Sequence, residues 1–269
     1  FPLSTLPTQI FFLESLGIHS ELTWNAPSWS SAAEFLTAIA FGLICVGLPA
    51  RYVGSAAAAV SACALLLIAV FSQRHMNATY SLGFVRCCAD FFCGAFCCHQ
   101  WRRLPAGTSG SARLWATLQE AAVIAVVVAF VAASGETRAS LLAPLVFGLA
   151  VVVFAAERGR ISAALRHRSL QSLGLWSYAI YMLQVPLDML IYFAFRLLEK
   201  MTGSGGWTSA LTLHPASESL NSTGIPSNLS ELPVLLFLGL LVFAARFTHR
   251  YVEYPCQIAL RKVFPEQSS

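Results

Sequence analysis

Residues 24–35 read Trp24-Asn25-Ala26-Pro27-Ser28-Trp29-Ser30-Ser31-Ala32-Ala33-Glu34-Phe35, a polar, aromatic stretch that passes without a break into a long apolar run. Proline locks φ and lacks an N–H, so Pro27 stops a helix arriving from the left. Ser28 or Ser30 is expected to cap one that starts to its right. Trp24 and Trp29 are the residue type that gathers where bilayer meets water. Glu34 falls about one turn inside the apolar run, at a depth where a carboxylate is costly. Two readings of Glu34 stay open from the residues alone: a side chain reaching back to the aqueous edge, or a functional group.

The rest of the chain fits the same environment. Of 269 residues, 57% are hydrophobic and 11% are charged, and mean hydropathy is +0.65. Soluble domains carry about a quarter charged residues, so the expected fold class is all-α: a polytopic transmembrane helix bundle in a lipid bilayer. The net charge of +4 belongs to membrane flanks. No Lys/Arg run is interleaved with aromatics, so nucleic acid is not an expected partner.

Seven apolar runs approach bilayer-spanning length, at 30–48, 52–71, 83–101, 114–133, 140–156, 174–196 and 232–248. Two connections are long: a basic, amphipathic loop at 157–173 and a Ser/Gly/Thr/Pro/Asn-rich loop at 199–231. Arg51, Arg102, Arg103, Arg113, Arg158, Arg160, Arg166, Arg168, Arg246, Arg250, Arg261 and Lys262 fall on one side, against Arg74, Arg138 and Lys200 on the other. Positive charge favours the cytoplasm, so the C-terminus is expected there and Trp24–Ser30 outside, with the plasma (inner) membrane as the location. The sequons at Asn77, Asn221 and Asn228 all lie in loops expected outside; short polar loops also generate such triplets by chance. The first twenty residues show no basic leader or cleavage site and read as the end of an earlier span and its loop. The expected organisation is a single membrane domain over 1–269 that is N-terminally incomplete.

Five cysteines, Cys87, Cys88, Cys93, Cys97 and Cys98, crowd one run and are followed by His99. Their spacing matches no zinc pattern, and cysteine is a good small apolar residue in a helix, so packing is the expected role. S-palmitoylation of Cys97 or Cys98 is the next reading, and no metal is expected.

Polar groups inside the runs carry the functional signal. Arg86 and Asp90 stand four apart on one helix face, close enough to pair, and Arg suits phosphate or carboxylate. Ser177, Tyr181 and Gln184 follow at steps of four and three, beside Tyr178, and Pro186 is expected to kink that helix. Glu253, among Arg246, His249 and Arg250, is expected to anchor a helix end.

The order WNAPSWSSAAEF, RCCADFFCG, LGLWSYAIYMLQVP and HRYVEYP before a basic tail resembles the acyltransferase-3 family of integral membrane acyltransferases. The family's elements are Trp-Ser-Leu-Ser-x-Glu, an Arg-led span with a downstream Gly, a Ser-Tyr-x-x-Tyr-Leu-x-His-x-Pro helix and a final Glu-x-Pro. The resemblance covers essentially the whole chain. It implies about ten membrane helices, no cofactor beyond acyl-CoA as donor co-substrate, and transfer of an acyl group, most commonly acetyl, to a carbohydrate or similar hydroxyl at the outer face. It also implies a histidine base in an Arg-x10-His motif, which none of His19, His75, His99, His167, His214 or His249 matches. Three N-terminal helices are therefore expected to be absent. Ser31 and Ala32 replace the family's Leu and second Ser, and Gln184 replaces its His. The implied roles are Glu34 in catalysis; Asn25, Trp29, Ser30, Arg86, Tyr178, Tyr181 and Gln184 in substrate binding; and Asp90 and Glu253 in structure. A transporter of a polar or anionic solute, or an inactive remnant, is the alternative.

Overall fold

The computed structural model describes residues 3–18, 24–79, 81–102, 112–203 and 232–263. Every regular element among them is helical, and the chain divides into two compact units, Phe1–Arg168 and Ser169–Ser269.

The first unit opens with helical turns, Leu3–Thr5, α1 (Leu6–Ile10) and Glu14–Leu16. Then come α2 (Ser28–Gly47), α3 (Ala50–Phe71), α4 (Gly83–Trp101), α5 (Ala112–Ser134), a 3-10 turn at Arg138–Leu142 running into α6 (Ala143–Ala155), and α7 (Arg160–Leu165). Beyond lie α8 (Arg168–Thr202), α9 (Leu232–Thr248), a π-helical turn at His249–Glu253, and α10 (Tyr254–Val263).

Among the described residues six helices are long and apolar enough to cross a membrane: Ser28–Gly47, Ala50–Phe71, Arg113–Ser134, Arg138–Ala155, Arg168–Thr202 and Val234–Lys262. These correspond to six of the seven runs read from the sequence. The remaining run, 83–101, is α4, a 19-residue helix that is less apolar because Arg86, Asp90, His99 and Gln100 interrupt it.

The polar groups of α4 are accommodated by its position in the first unit, where it packs against α2, α3 and α6. Ala57, Ser61, Ala64 and Ile68 are buried along α3 at steps of four, three and four, which places them on one face. Against them lie Cys88, Ala89 and Phe92 of α4. Small residues let the two backbones approach, and the Ser61 hydroxyl donates to the Ala89 carbonyl at 2.8 Å. On the α2 side, Thr37 Oγ1 lies 3.7 Å from Cys88 Sγ, and Phe41 meets Phe91 and Phe92 edge-on. Toward α6, the Cys93 thiol donates to the Pro144 carbonyl at 3.4 Å. Cys88 and Cys93 are therefore packing residues that pin α4 to its neighbours.

Two local expectations are corrected. Neither Ser28 nor Ser30 caps α2: the N-cap is Pro27, which has no side-chain donor or acceptor, and Ser28 is already helical. Residues 157–173 are not a loop throughout, because α7 and the first turn of α8 form within them. Pro186 lies inside α8, which continues on both sides of it. The sequons at Asn221 and Asn228 lie outside the described residues. At the remaining one, the Asn77 amide donates to Glu136 at 2.6 Å, while the Met76 N–H donates to Ser140 Oγ at 3.3 Å. These bonds tie the α3–α4 and α5–α6 connections to each other.

Candidate functional site

Helical spacing on two adjacent helices builds one recess. Trp29, Ser30, Ala33 and Glu34 come from the first turns of α2, and Gly83, Arg86, Cys87 and Asp90 come from α4 at steps of three, one and three. The cavity measures about 560 Å³. Gly83 makes the close approach possible, since a Cβ there would stand 2.9 Å from the Trp29 ring. The Arg86 guanidinium lies over that ring, 5.6 Å from its centroid, and donates to the Ala78 carbonyl at 3.2 Å.

The expected Arg86–Asp90 pair is not formed. Among the described residues the ion pairs are Arg166–Glu157 and His249–Glu253. Arg86 is instead held by the Trp29 face and the Ala78 carbonyl, which draw its guanidinium toward the start of α4. Glu34 and Asp90 are both exposed into the recess. At this depth a carboxylate needs water, a cation or a ligand.

Arg86 and Asp90 also line a second cavity of about 240 Å³ between α4 and α6, whose other walls include Met76, Gly94, Pro144, Phe147 and Gly148. The two residues thus stand where the two cavities adjoin. Around them the described residues hold no cluster of three or more His, Cys, Asp or Glu side chains suited to a metal.

No protein-family model, curated protein or solved structure matches the chain. What the site does must therefore be argued from its own chemistry.

The structure thus brings Trp29, Ser30, Glu34, Arg86 and Asp90 together. Asn25 stands just before them in the turn that enters α2, its carbonyl accepting the Ser28 N–H at 2.9 Å. Ser30 Oγ donates to the Pro27 carbonyl at 3.2 Å. Tyr178, Tyr181 and Gln184 lie on α8 in the second unit, with both tyrosines exposed (51% and 37%). In that unit Arg246 of α9 stacks over Trp176 of α8, 5.8 Å from the ring centroid. The Glu253 carboxylate lies 2.8 Å from His249 Nδ1 across the π-helical turn.

Two buried carboxylates escaped the sequence reading. Glu14 is 4% exposed, with Oε1 accepting the Ser28 hydroxyl at 2.7 Å. Its segment is too short for any periodicity to mark it. Glu120 is 1% exposed within α5. The rule that singled out Glu34, an ionisable group inside an apolar run, applies to Glu120 equally and would have found it.

Proposed function

We propose that this chain is a membrane-bound O-acyltransferase that moves an acyl group, most commonly acetyl, from acyl-CoA to a hydroxyl of a carbohydrate or similar acceptor. The observation that carries this reading is the single recess holding Glu34, Trp29 and Ser30 on one wall and Arg86 and Asp90 on the other. A carboxylate beside an aromatic ring suits a polyhydroxylated acceptor, because the carboxylate takes hydroxyl protons and the ring covers apolar C–H faces.

Glu34 binds the acceptor hydroxyl or orients the base that removes its proton. Arg86 offers N–H donors to the carbonyl oxygen of the acyl group as negative charge develops there. The slot behind Arg86 takes the apolar end of that group, and its small volume favours short chains. The family resemblance assigns substrate binding also to Tyr178, Tyr181 and Gln184 of α8, in the second unit. It assigns the base to a histidine in an Arg-x10-His motif, which no histidine of this sequence matches. In this reading α4 also crosses the bilayer, giving seven crossings, with the C-terminus in the cytoplasm and the recess opening outward at the plasma membrane.

The test is acyl transfer from radiolabelled acetyl-CoA in membranes carrying the full protein. Label is expected in the carbohydrate fraction with the native chain and absent with Glu34→Gln at equal protein level. Equal labelling with Glu34→Gln removes Glu34 from the reaction, and no acetyl-CoA consumption by the native protein ends the acyltransferase reading.

A further inference from the structure

Glu120 is buried in α5 and none of the chemistry above uses it. Its carboxylate gathers donors from the segment that enters α7: the Gly159 N–H at 3.0 Å, the Ile161 N–H at 3.0 Å, the Ser162 N–H at 3.2 Å, and the Ser162 hydroxyl. Thr117, one turn earlier, accepts the Arg160 N–H at 3.0 Å. Gly159 is required here, because a Cβ at that position would collide with the carboxylate. The first turn of α7 is thus clamped to α5, its otherwise unpaired N–H groups satisfied by a side chain from another helix.

The clamp sits at a boundary in α5. After Glu120 the helix reads Ala121-Ala122-Val123-Ile124-Ala125-Val126-Val127-Val128-Ala129-Phe130-Val131-Ala132-Ala133, with no polar residue until Ser134. The Glu120 level therefore marks where the polar edge of α5 gives way to hydrocarbon-compatible surface. What the clamp holds at that level is a run of cations: Arg158, Arg160, Arg166, His167 and Arg168 are all exposed. Arg166 pairs with Glu157 at 2.8 Å. Arg158, Arg160 and Arg168 make no side-chain hydrogen bond or ion pair among the described residues. Leu165, 49% exposed, follows half-buried Ile161 by one turn, adding an apolar edge to the same short helix.

We infer that residues 158–168 form a lipid-headgroup shelf, on which Arg158, Arg160 and Arg168 bind the phosphates of anionic phospholipids, with Glu120 as its positioning residue. Guanidinium groups fixed beside a membrane span, next to exposed apolar side chains, match an anionic bilayer surface in both charge and polarity. A soluble phosphate would satisfy the arginines and leave Leu165 in water.

The experiment uses the full chain in phosphatidylcholine nanodiscs and reads the motionally restricted fraction of spin-labelled phosphatidylglycerol against that of spin-labelled phosphatidylcholine. The native protein is expected to prefer phosphatidylglycerol by about fivefold or more. The triple variant Arg158→Gln/Arg160→Gln/Arg168→Gln is expected to lose that preference with its helix content unchanged. Glu120→Ala should lose it as well, and Glu120→Gln should lose less of it, because its one amide oxygen can still accept from the Ile161 and Ser162 N–H groups while its NH2 cannot accept from Gly159. No preference in the native protein, or an undiminished one in the triple variant, overturns the proposal. So does displacement of the labelled phosphatidylglycerol by millimolar inorganic phosphate or free CoA, which would make the patch a soluble-phosphate site.

Discussion

Arg86 of α4 lies over the indole of Trp29 on α2, its guanidinium carbon 5.6 Å from the ring centroid. The contact joins the two helices that form the recess, and it draws Arg86 away from Asp90, its neighbour one turn on. Partly desolvated cation–π contacts contribute about 0.5–2 kcal/mol. The pairing also leaves the carboxylates of Glu34 and Asp90 facing the cavity.

Arg86→Lys keeps the charge and loses the planar fork that both stacks on Trp29 and reaches the Ala78 carbonyl. In the acyltransferase reading, kcat for transfer from acetyl-CoA is expected to fall by about a hundredfold, the scale of removing one oxyanion donor. A variant with native kcat would take Arg86 out of the reacting centre.

Gly83→Ala brings a methyl to 2.9 Å from the Trp29 ring. Ring and helix must separate, so a destabilisation of about 1–3 kcal/mol is expected, together with a shift in tryptophan emission. Thermal unfolding in detergent checks the first and fluorescence the second. Gly94→Ala serves as the control, because a Cβ at Gly94 meets nothing within 4 Å.

The α3–α4 seam separates two effects at one position. Ser61→Ala removes the 2.8 Å bond to the Ala89 carbonyl, and interhelical bonds of this type average about 0.6 kcal/mol. Ser61→Leu adds volume where Ser61 is 6% exposed, and overpacking costs about 1–3 kcal/mol. Unfolding midpoints should rank native, Ala and Leu in descending order. A leucine variant as stable as native would show that the seam is not close-packed.

Gly159→Ala should imitate the loss of Glu120, since its methyl occupies the space of the Glu120 carboxylate. Displacing that group leaves buried N–H donors without an acceptor, at about 1–3 kcal/mol each before relaxation. Limited trypsin cleavage after Arg158 and Arg160 is expected to speed up by about tenfold or more in Gly159→Ala and Glu120→Ala alike. Native cleavage rates in both would show that the clamp does not hold the segment.

Parts of the site were legible because they are local. Arg86, Cys87 and Asp90 share a face by spacing alone, and the Trp29–Glu34 stretch announces itself by residue type at the edge of an apolar run. Other parts were not. Whether Arg86 meets Asp90 on its own helix or Trp29 on another depends on where α2 lies, and Gly83, an ordinary helix-opening glycine by sequence, decides that distance. Glu120 carried the same signal as Glu34 but had no motif around it. Its partners lie about forty residues away, where backbone N–H groups, identical in every non-proline residue, leave no mark in the sequence.

By itself the sequence determined that this is an all-helical chain with long apolar segments, where most of them begin and end, and which of their residues are out of place in hydrocarbon. Composition and periodicity suffice for that, because each helix closes its own hydrogen bonds and the bilayer sets the length. Only the tertiary structure decided which misplaced groups share a cavity, that Glu34 and Asp90 face one while Glu120 is sealed in another contact, and that α4, the least apolar candidate span, packs against α2, α3 and α6. Those outcomes rest on close approach between helices, set by glycine, alanine and serine at contact points far apart in the chain.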